Sequence, residues 1–62
     1  MQFEMKFDTD NAAFEDNFHE EIARILRSVA IDFADHEIDL SYTHYRNVYD
    51  ANGNIVGTWR IK

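Results

Sequence analysis

The fold of this chain is decided by the segment YRNVYDANGNIVGTWRI, which occupies positions 45–61. Asn-Gly between two runs of apolar residues is the strongest short-range signal of a β-hairpin. Two turns compete at this point. Asn52-Gly53 would form a two-residue loop, whereas a turn at Ala51-Asn52 with Gly53 at positive φ would form a three-residue loop.

The choice of loop decides which side chains share a face of the sheet. The two-residue loop pairs Val48 with Gly57 and mixes polar side chains with Trp59. The three-residue loop pairs Tyr49 with Ile55 and Tyr45 with Trp59, which gathers the aromatic residues. We predict the three-residue loop, because a one-residue slip exchanges the two faces and this register buries the aromatic side chains. One face is then Tyr45, Asn47, Tyr49, Ile55, Gly57, Trp59 and Ile61, and the other is Arg46, Val48, Asp50, Asn54, Val56, Thr58, Arg60 and Lys62.

The composition indicates one small acidic domain, residues 1–62. The chain has 62 residues, a formal net charge of -6, 15% aromatic residues and no cysteine. A chain this short buries only about 60% of its unfolded surface, so its stability depends on a dense core or on self-association. Without cysteine there are no disulfides or thiolate zinc sites. No apolar run approaches the roughly 20 residues of a membrane span and no signal-peptide pattern opens the chain, so we expect a soluble cytoplasmic protein.

The first part of the chain predicts a strand followed by a short helical turn. Phe3, Met5 and Phe7 alternate with polar residues, as in a half-buried strand. Thr9-Asp10-Asn11 is a turn cluster that caps a helical turn through Ala12-Ala13-Phe14.

The main helix is predicted from Asn17, a good N-cap residue, to Asp35 or His36. Its apolar residues recur at helical spacing and form one stripe, which comprises Phe18, Ile22, Ile25, Leu26, Val29, Ala30 and Phe33. Ile31 falls on the polar face, where it is either a scattered exposed residue or a partner contact. Beyond the helix, the apolar alternation changes phase between Tyr42 and Tyr45, which predicts a bulge or a loop there.

Together these elements predict an α+β fold with the order β-α-β-β. A helix that returns the chain makes the first two strands parallel in direction, and the hairpin makes the third antiparallel to both. The third strand is therefore predicted at the centre of a three-stranded antiparallel sheet, with the single helix packed on one face. The residues expected under the helix are Phe3, Met5, Phe7, Tyr45, Tyr49, Ile55, Trp59 and Ile61.

Motifs for catalysis and metal binding are incomplete. His19-Glu20-Glu21-Ile22-Ala23 begins like a zincin helix, but Ala23 stands where the second histidine is needed. The acidic turns at 8–11 and 50–54 begin like calcium loops, but neither continues as one. No serine has a positioned base and no glycine loop would cradle a phosphate. We therefore expect no enzyme activity, no metal and no cofactor.

The basic residues are predicted mainly on the open face of the sheet, which suggests a nucleic-acid platform. Those residues are Lys6, Arg46, Arg60 and Lys62. A sheet that binds single-stranded nucleic acid stacks bases on exposed aromatic side chains, whereas Tyr45, Tyr49 and Trp59 are predicted under the helix. Direct nucleic-acid binding is therefore disfavoured, and cross-strand ion pairing is the preferred interpretation.

The acidic residues near the end of the main helix are not explained by local stability. They are Asp32, Asp35, Glu37 and Asp39. The helix dipole is unfavourable to anions at this end, by about 0.3–1 kcal/mol each. The cluster indicates either a surface for a basic partner or a contribution to solubility.

Three segments of the chain, FDTDNAAF at 7–14, EIARILR at 21–27 and DANGNIVGTW at 50–59, carry a resemblance. Together they are similar to a group of small bacteriophage and prophage proteins of uncharacterised function. The resemblance covers nearly all of the chain except 32–46, contains no catalytic pattern, and lacks the proline expected near Phe18. It implies a phage origin and action in the host cytoplasm, where small acidic phage proteins often block a host defence complex, as anti-CRISPR and anti-restriction proteins do.

We therefore predict a non-enzymatic, anti-CRISPR-like inhibitor that binds a host protein or nucleoprotein complex with a basic surface. The predicted partner-binding residues are Ile31, Asp32, Asp35, Glu37, Asp39 and Tyr42. Two alternatives stay open. One is a homo-oligomeric phage accessory or structural protein that self-associates through a sheet edge or the open face, and the other is a nucleic-acid-binding module.

Overall fold

The chain forms an antiparallel sheet with a long helix on one face, in a computed structural model that describes residues 1–35 and 44–62. The elements are β1 (Phe3–Phe7), a short 3₁₀ helix (Ala12–Phe14), α1 (Phe18–Asp35), β2 (His44–Tyr49) and β3 (Ile55–Ile61). The strand order β1-β3-β2 confirms the predicted α+β fold with the third strand at the centre. In these ranges, no helix has the length and apolar character needed to cross a membrane.

The segment before α1 follows the prediction with one difference. β1 runs antiparallel to β3, with Met5 opposite Trp59. The predicted helical turn is the 3₁₀ helix, and its last residue, Phe14, is buried with its ring stacked on Phe7 at 6.3 Å between centroids. Asn11 precedes this helix but its side chain does not cap it. Its amide instead donates a hydrogen bond to the Asp50 carboxylate at 2.9 Å, which ties this segment to the hairpin.

The helix α1 begins after Asn17, whose carbonyl oxygen accepts the Glu21 N–H at 2.8 Å, as expected at an N-cap position. Its predicted end, Asp35 or His36, falls at the boundary of the described residues. Ile25 is buried at the centre of the apolar stripe. Three strands at about 4.8 Å spacing span only about 10 Å, which is too narrow to cover the whole stripe. The large side chains of the stripe that stay exposed are Phe18, Leu26 and Phe33.

The loop of the hairpin is the predicted three-residue loop. The Asp50 N–H donates to the Asn54 carbonyl at 2.9 Å, and the Gly53 N–H donates to the Asp50 carbonyl at 3.1 Å. Gly53 has a φ of +84°, a conformation that glycine adopts without a Cβ penalty. Tyr49 lies opposite Ile55, as predicted.

A β-bulge then changes the register of the hairpin. Val48 lies opposite Gly57, so Val56 is an extra residue in β3 with no partner in β2. The predicted pair of Tyr45 with Trp59 is therefore wrong, because Tyr45 lies opposite Arg60. The hairpin therefore has the predicted three-residue loop, but beyond the bulge its strands have the register that was described for the two-residue loop.

The bulge exchanges the faces of β2 relative to the prediction. Tyr45 is 68% exposed and Tyr49 is 51% exposed, and Ile55 is exposed beside them, so none of the three lies under the helix. Their predicted burial is wrong because it assumed regular alternation through Val56. Val48 and Val56, predicted on the open face, are buried instead.

Trp59 and Ile61 lie under α1 as predicted, and Trp59 is only 1% exposed. The Trp59 ring contacts Phe3 and Phe33, each at 5.7 Å between centroids. The buried apolar residues that form the core are Phe14, Ile25, Val48, Val56, Trp59 and Ile61.

The bulge also moves a basic residue. Arg46 was expected on the open face, but it lies opposite Trp59 on the helix side of the sheet. Its Nε is 3.9 Å from an Asp32 carboxylate oxygen. The further bulge predicted between Tyr42 and Tyr45 falls mainly on residues outside those described.

Candidate partner-binding groove

An open groove of about 850 Å³ runs between α1 and β2. One wall is the second half of α1 and the other is β2, with Ile25 and Trp59 below them. β2 is an edge strand, so in the described part of the sheet its outer N–H and C=O groups have no neighbouring strand. The groove therefore combines side chains of the helix with a free strand edge.

Three of the predicted partner-binding residues line this groove: Ile31, Asp32 and Asp35. Residues three and four apart lie on one side of a helix, which brings Asp35 next to both of the others. Ile31 is 61% exposed, and its apolar side chain is therefore available for contact. The other predicted residues, Glu37, Asp39 and Tyr42, lie outside the described residues.

An ion pair joins the two walls of the groove. Asp32 on α1 and Arg46 on β2 are 3.9 Å apart, and both side chains are partly exposed. A pair of this exposure contributes about 0–1 kcal/mol to stability. Asp35 lies one turn further along α1, is exposed, and makes no ion pair with any residue in 1–35 or 44–62. That end of the groove therefore carries a negative charge available to a partner.

The other end of the groove is closed by a link between the helix and the strand. Arg24 donates to the Glu21 carboxylate through Nε at 2.7 Å and through a terminal nitrogen at 3.2 Å. The same terminal nitrogen is 3.2 Å from the Tyr49 carbonyl oxygen of β2. Arg24 therefore fixes the spacing of α1 and β2 where the groove begins.

Glu21 is the central acceptor of this link, and no sequence pattern indicated its burial. It is buried, and its second carboxylate oxygen accepts the Ala51 N–H at 2.7 Å. The hydrogen bond from Arg24 lowers the pKa of Glu21, the bond from Ala51 acts in the same direction, and desolvation opposes both.

Asp50 is the second buried carboxylate, and it organises the hairpin loop. One oxygen accepts the N–H groups of Asn52 and Asn54, each at 2.9 Å, and the other accepts the side-chain amides of Asn11 and Asn54. These bonds, led by that from Asn11, lower the pKa of Asp50. Because Glu21 and Asp50 are both ionised and engaged by groups of their own chain, they hold the fold together and lack the raised pKa of a general acid.

The open face of the sheet forms a second candidate surface. Tyr45 and Tyr49 are exposed on it, so the predicted burial that disfavoured nucleic-acid binding is wrong for these two residues. The basic residues there are partly neutralised, since Glu4 is 2.6 Å from Arg60 and 3.7 Å from Lys62. The hydrogen bond from Arg60 lowers the pKa of Glu4. The expected cross-strand ion pairing is confirmed at this position.

No cluster of three or more candidate metal ligands is present within 1–35 and 44–62. Comparisons with protein-family models, with curated proteins and with solved structures find no match to this chain. The resemblance to small bacteriophage and prophage proteins therefore stays a prediction from the sequence.

The groove has the parts needed to bind a segment of another protein. A free strand edge can add an extended peptide through backbone hydrogen bonds. Ile31 offers an exposed apolar side chain on the helix wall, and Asp35 offers a negative charge at one end. This combination favours an extended segment with apolar and basic side chains.

Proposed function

We propose that this chain is a non-enzymatic protein-binding domain that inhibits a host defence complex in the manner of an anti-CRISPR protein. The groove between α1 and β2 would receive a basic segment of that complex. The observation that carries the proposal is that Ile31, Asp32 and Asp35 line one groove beside the edge of β2 that has no neighbouring strand among residues 1–35 and 44–62.

The charge of the chain supports a basic partner. A net charge of -6 attracts a basic surface over a distance and raises the rate of encounter. The apolar side chain of Ile31 and the strand edge then provide short-range contacts. The defence complex itself, and action in the host cytoplasm, rest on the sequence resemblance to phage proteins.

A single charge reversal tests the site without disturbing the fold. Asp35→Lys replaces an exposed anion by a cation at the helix end that favours cations. Asp16→Lys, on an exposed residue before the other end of α1, makes the same change in net charge and serves as the control. Both variants are compared with the wild type for binding to a panel of purified CRISPR effector complexes and for inhibition of target-DNA cleavage.

We expect the wild type and Asp16→Lys to bind and inhibit at least one effector, and Asp35→Lys to bind it about tenfold more weakly, since removing and reversing a charge contact costs about 1–2 kcal/mol. Equal binding by both variants would exclude the groove as the site. Absence of binding to every effector in the panel would contradict the proposed class of target.

A second candidate function, binding of single-stranded nucleic acid, is favoured by one specific observation: Tyr45 and Tyr49 are exposed on the sheet face that also carries Arg60. It ranks second because Glu4 pairs with Arg60 and the chain is acidic. Fluorescence anisotropy with labelled oligo(dT) and oligo(U) at low salt tests it, with Tyr45→Ala/Tyr49→Ala as the variant. Binding that falls with added salt and is lost in the variant would support this function, and no binding at low salt would end it.

A further inference from the structure

The outer edge of β1 is open in the described part of the chain. β1 is the other edge strand of the sheet, and only β3 lies beside it. The segment after β1 turns toward the hairpin, where Asn11 bonds to Asp50, and so it does not run along this edge. An open edge is a template for pairing with another strand.

The hydrogen-bonding pattern shows which residues of β1 point outward. Gln2 and Lys62 exchange both backbone hydrogen bonds, at 2.7 and 3.0 Å, and so form a hydrogen-bonded pair. Such pairs alternate along an antiparallel ladder, so the backbone groups of Glu4 and Lys6 also point toward β3. The N–H and C=O groups of Phe3, Met5 and Phe7 therefore point away from the sheet.

The sequence of β1, FEMKF, is symmetric about Met5 in a way that suits pairing with itself. If two copies pair in antiparallel orientation with Met5 opposite Met5, Phe3 lies opposite Phe7 of the partner subunit. Glu4 then lies opposite Lys6 of the partner subunit, and the reciprocal pair forms by symmetry. Every outward-pointing residue meets an outward-pointing residue, as the ladder requires.

The neighbouring registers are disfavoured by charge. If one β1 strand slides by two residues in either direction, outward-pointing residues still meet outward-pointing residues. Such a shift, however, places either Glu4 opposite Glu4 of the partner subunit or Lys6 opposite Lys6 of the partner subunit. Like charges directly opposite each other are destabilising, whereas opposite charges are stabilising. Lys6 is exposed and has no ion pair with any described residue of its own chain, so it is available to a partner.

An apolar cleft lies along the same edge. It has a volume of about 770 Å³ and lies between β1 and the uncovered side of the α1 stripe. Phe3 is 53% exposed there, and Met1, Leu26 and Phe33 are also exposed. Pairing of the two β1 strands places the two clefts on the same side of the joined sheet, facing the symmetry axis. A second copy would therefore cover apolar surface that the narrow sheet of one copy leaves in water.

We propose that two copies of this chain associate through the outer edges of β1, in antiparallel register centred on Met5. The product is one continuous six-stranded sheet, three strands from each copy, with both helices on the same face. The inference does not depend on the proposed function, because the groove beside β2 lies on the opposite edge and stays open in the dimer.

Sedimentation velocity over a concentration series, with Lys6→Glu as the first variant, tests the proposal. In the dimer of this variant, the new glutamate of each copy lies opposite Glu4 of the other copy. We expect this repulsion to weaken the dimer about tenfold or more. Arg27→Glu is the matched control, because it makes the same change in net charge on an exposed helix residue. A wild type that stays monomeric at its highest soluble concentration, or equal dimerisation of Lys6→Glu and the wild type, would overturn the proposal.

A mixture of two variants with complementary charges distinguishes loss of the dimer contact from loss of folding stability. Two copies of the Glu4→Lys variant repel each other in the same way, because lysines lie opposite each other. In a mixture with the Lys6→Glu variant, each of these lysines lies opposite a glutamate. The two variants should be monomeric alone and form a one-to-one heterodimer when mixed. Circular dichroism checks that each is folded, since Glu4→Lys also loses the pair with Arg60. Two folded variants that do not associate would contradict the register.

Hydrogen exchange measured by NMR identifies the edge. In the wild-type dimer the amides of Met5 and Phe7 should be protected, and in monomeric Lys6→Glu they should exchange rapidly. The amide of residue 6, which points toward β3, should be protected in both. A dimer in which the Met5 amide exchanges as fast as in the monomer would place the contact elsewhere.

Discussion

The Glu21 carboxylate accepts the backbone N–H of Ala51 at 2.7 Å, which joins the first turn of α1 to the hairpin loop. These residues are 30 positions apart in the chain. The contact sets the position of the helix over the sheet, because Arg24 bonds to the same carboxylate and also reaches the Tyr49 carbonyl. The groove beside β2 therefore depends on a buried acid that lies outside it.

Removal of this acid should lower the stability of the whole domain. Glu21→Ala leaves the Ala51 N–H and the partly exposed Arg24 guanidinium without their acceptor, and the loss of hydrogen bonds to a buried carboxylate is unfavourable. We expect a clear fall in the melting temperature measured by circular dichroism. Glu20→Ala, at an exposed neighbouring position, should change the free energy of unfolding by no more than about 0.5 kcal/mol. Equal effects of the two substitutions would contradict the buried role of Glu21.

The stability of the domain should decrease in acid. The pKa values of Glu21 and Asp50 are lowered in the folded chain by the hydrogen bonds they accept. The unfolded chain therefore takes up protons first as the pH falls, so the stabilisation is fully present well above about pH 4 and is lost progressively as the pH falls through and below that value. Urea unfolding at several pH values measures this loss, and Glu21→Gln should reduce its size. A free energy of unfolding that does not change down to pH 2 would contradict the prediction.

The bulged register predicts opposite effects at two adjacent residues of β2. Val48→Ala removes a buried side chain and should cost about 1.5–3 kcal/mol. Tyr49→Ala alters an exposed side chain and should stay within about 0.5 kcal/mol of the wild type. Chemical denaturation followed by the fluorescence of Trp59 measures both. A regular register would place Tyr49 under the helix, and Tyr49→Ala would then be the more destabilising of the two substitutions.

The two glycines of the hairpin should respond to substitution for different reasons. A Cβ at Gly57 would collide with the Lys6 carbonyl oxygen and would lie 2.5 Å from the Phe7 Cα, so Gly57→Ala should displace β1 and cost about 1–3 kcal/mol. At Gly53 there is open space, but its φ of +84° is unfavourable for alanine by about 1–2 kcal/mol. Gly53→Asn should be milder than Gly53→Ala, because asparagine tolerates this conformation, whereas Gly57→Asn should be no milder than Gly57→Ala. Thermal unfolding of the four variants distinguishes the two causes.

The sequence was sufficient for the elements and their order because each carries a local signal. Asn52-Gly53 indicates the loop, the alternation of Phe3, Met5 and Phe7 indicates β1, and the helical stripe indicates α1. The central position of the third strand then follows from strand directions alone.

The faces of β2 were not predicted because the bulge breaks the alternation on which the prediction depended. One signal for it was present. An isolated glycine within a strand indicates a bulge or a close approach of another backbone, and Gly57 has both features.

The burial of Glu21 and Asp50 had no comparable signal, because it arises from contacts between residues distant in the chain. The sequence could predict that Ile31, Asp32 and Asp35 lie close together on α1. It could not predict which residues of β2 form the other wall of the groove, because these depend on the register of the hairpin.

The bulge at Val56 has a consequence for how this hairpin tolerates changes in length. Val56 is counted in β3 but pairs with no residue of β2, so its deletion would leave Tyr49 opposite Ile55 and Val48 opposite Gly57. A variant one residue shorter at this position would keep Tyr45 and Tyr49 at the surface and Trp59 inside, with the loss of one valine from the core and of the Val56 carbonyl oxygen that accepts the Asp8 N–H. A chain related to this one could therefore be aligned through a one-residue gap at Val56 without any change in which side chains it displays.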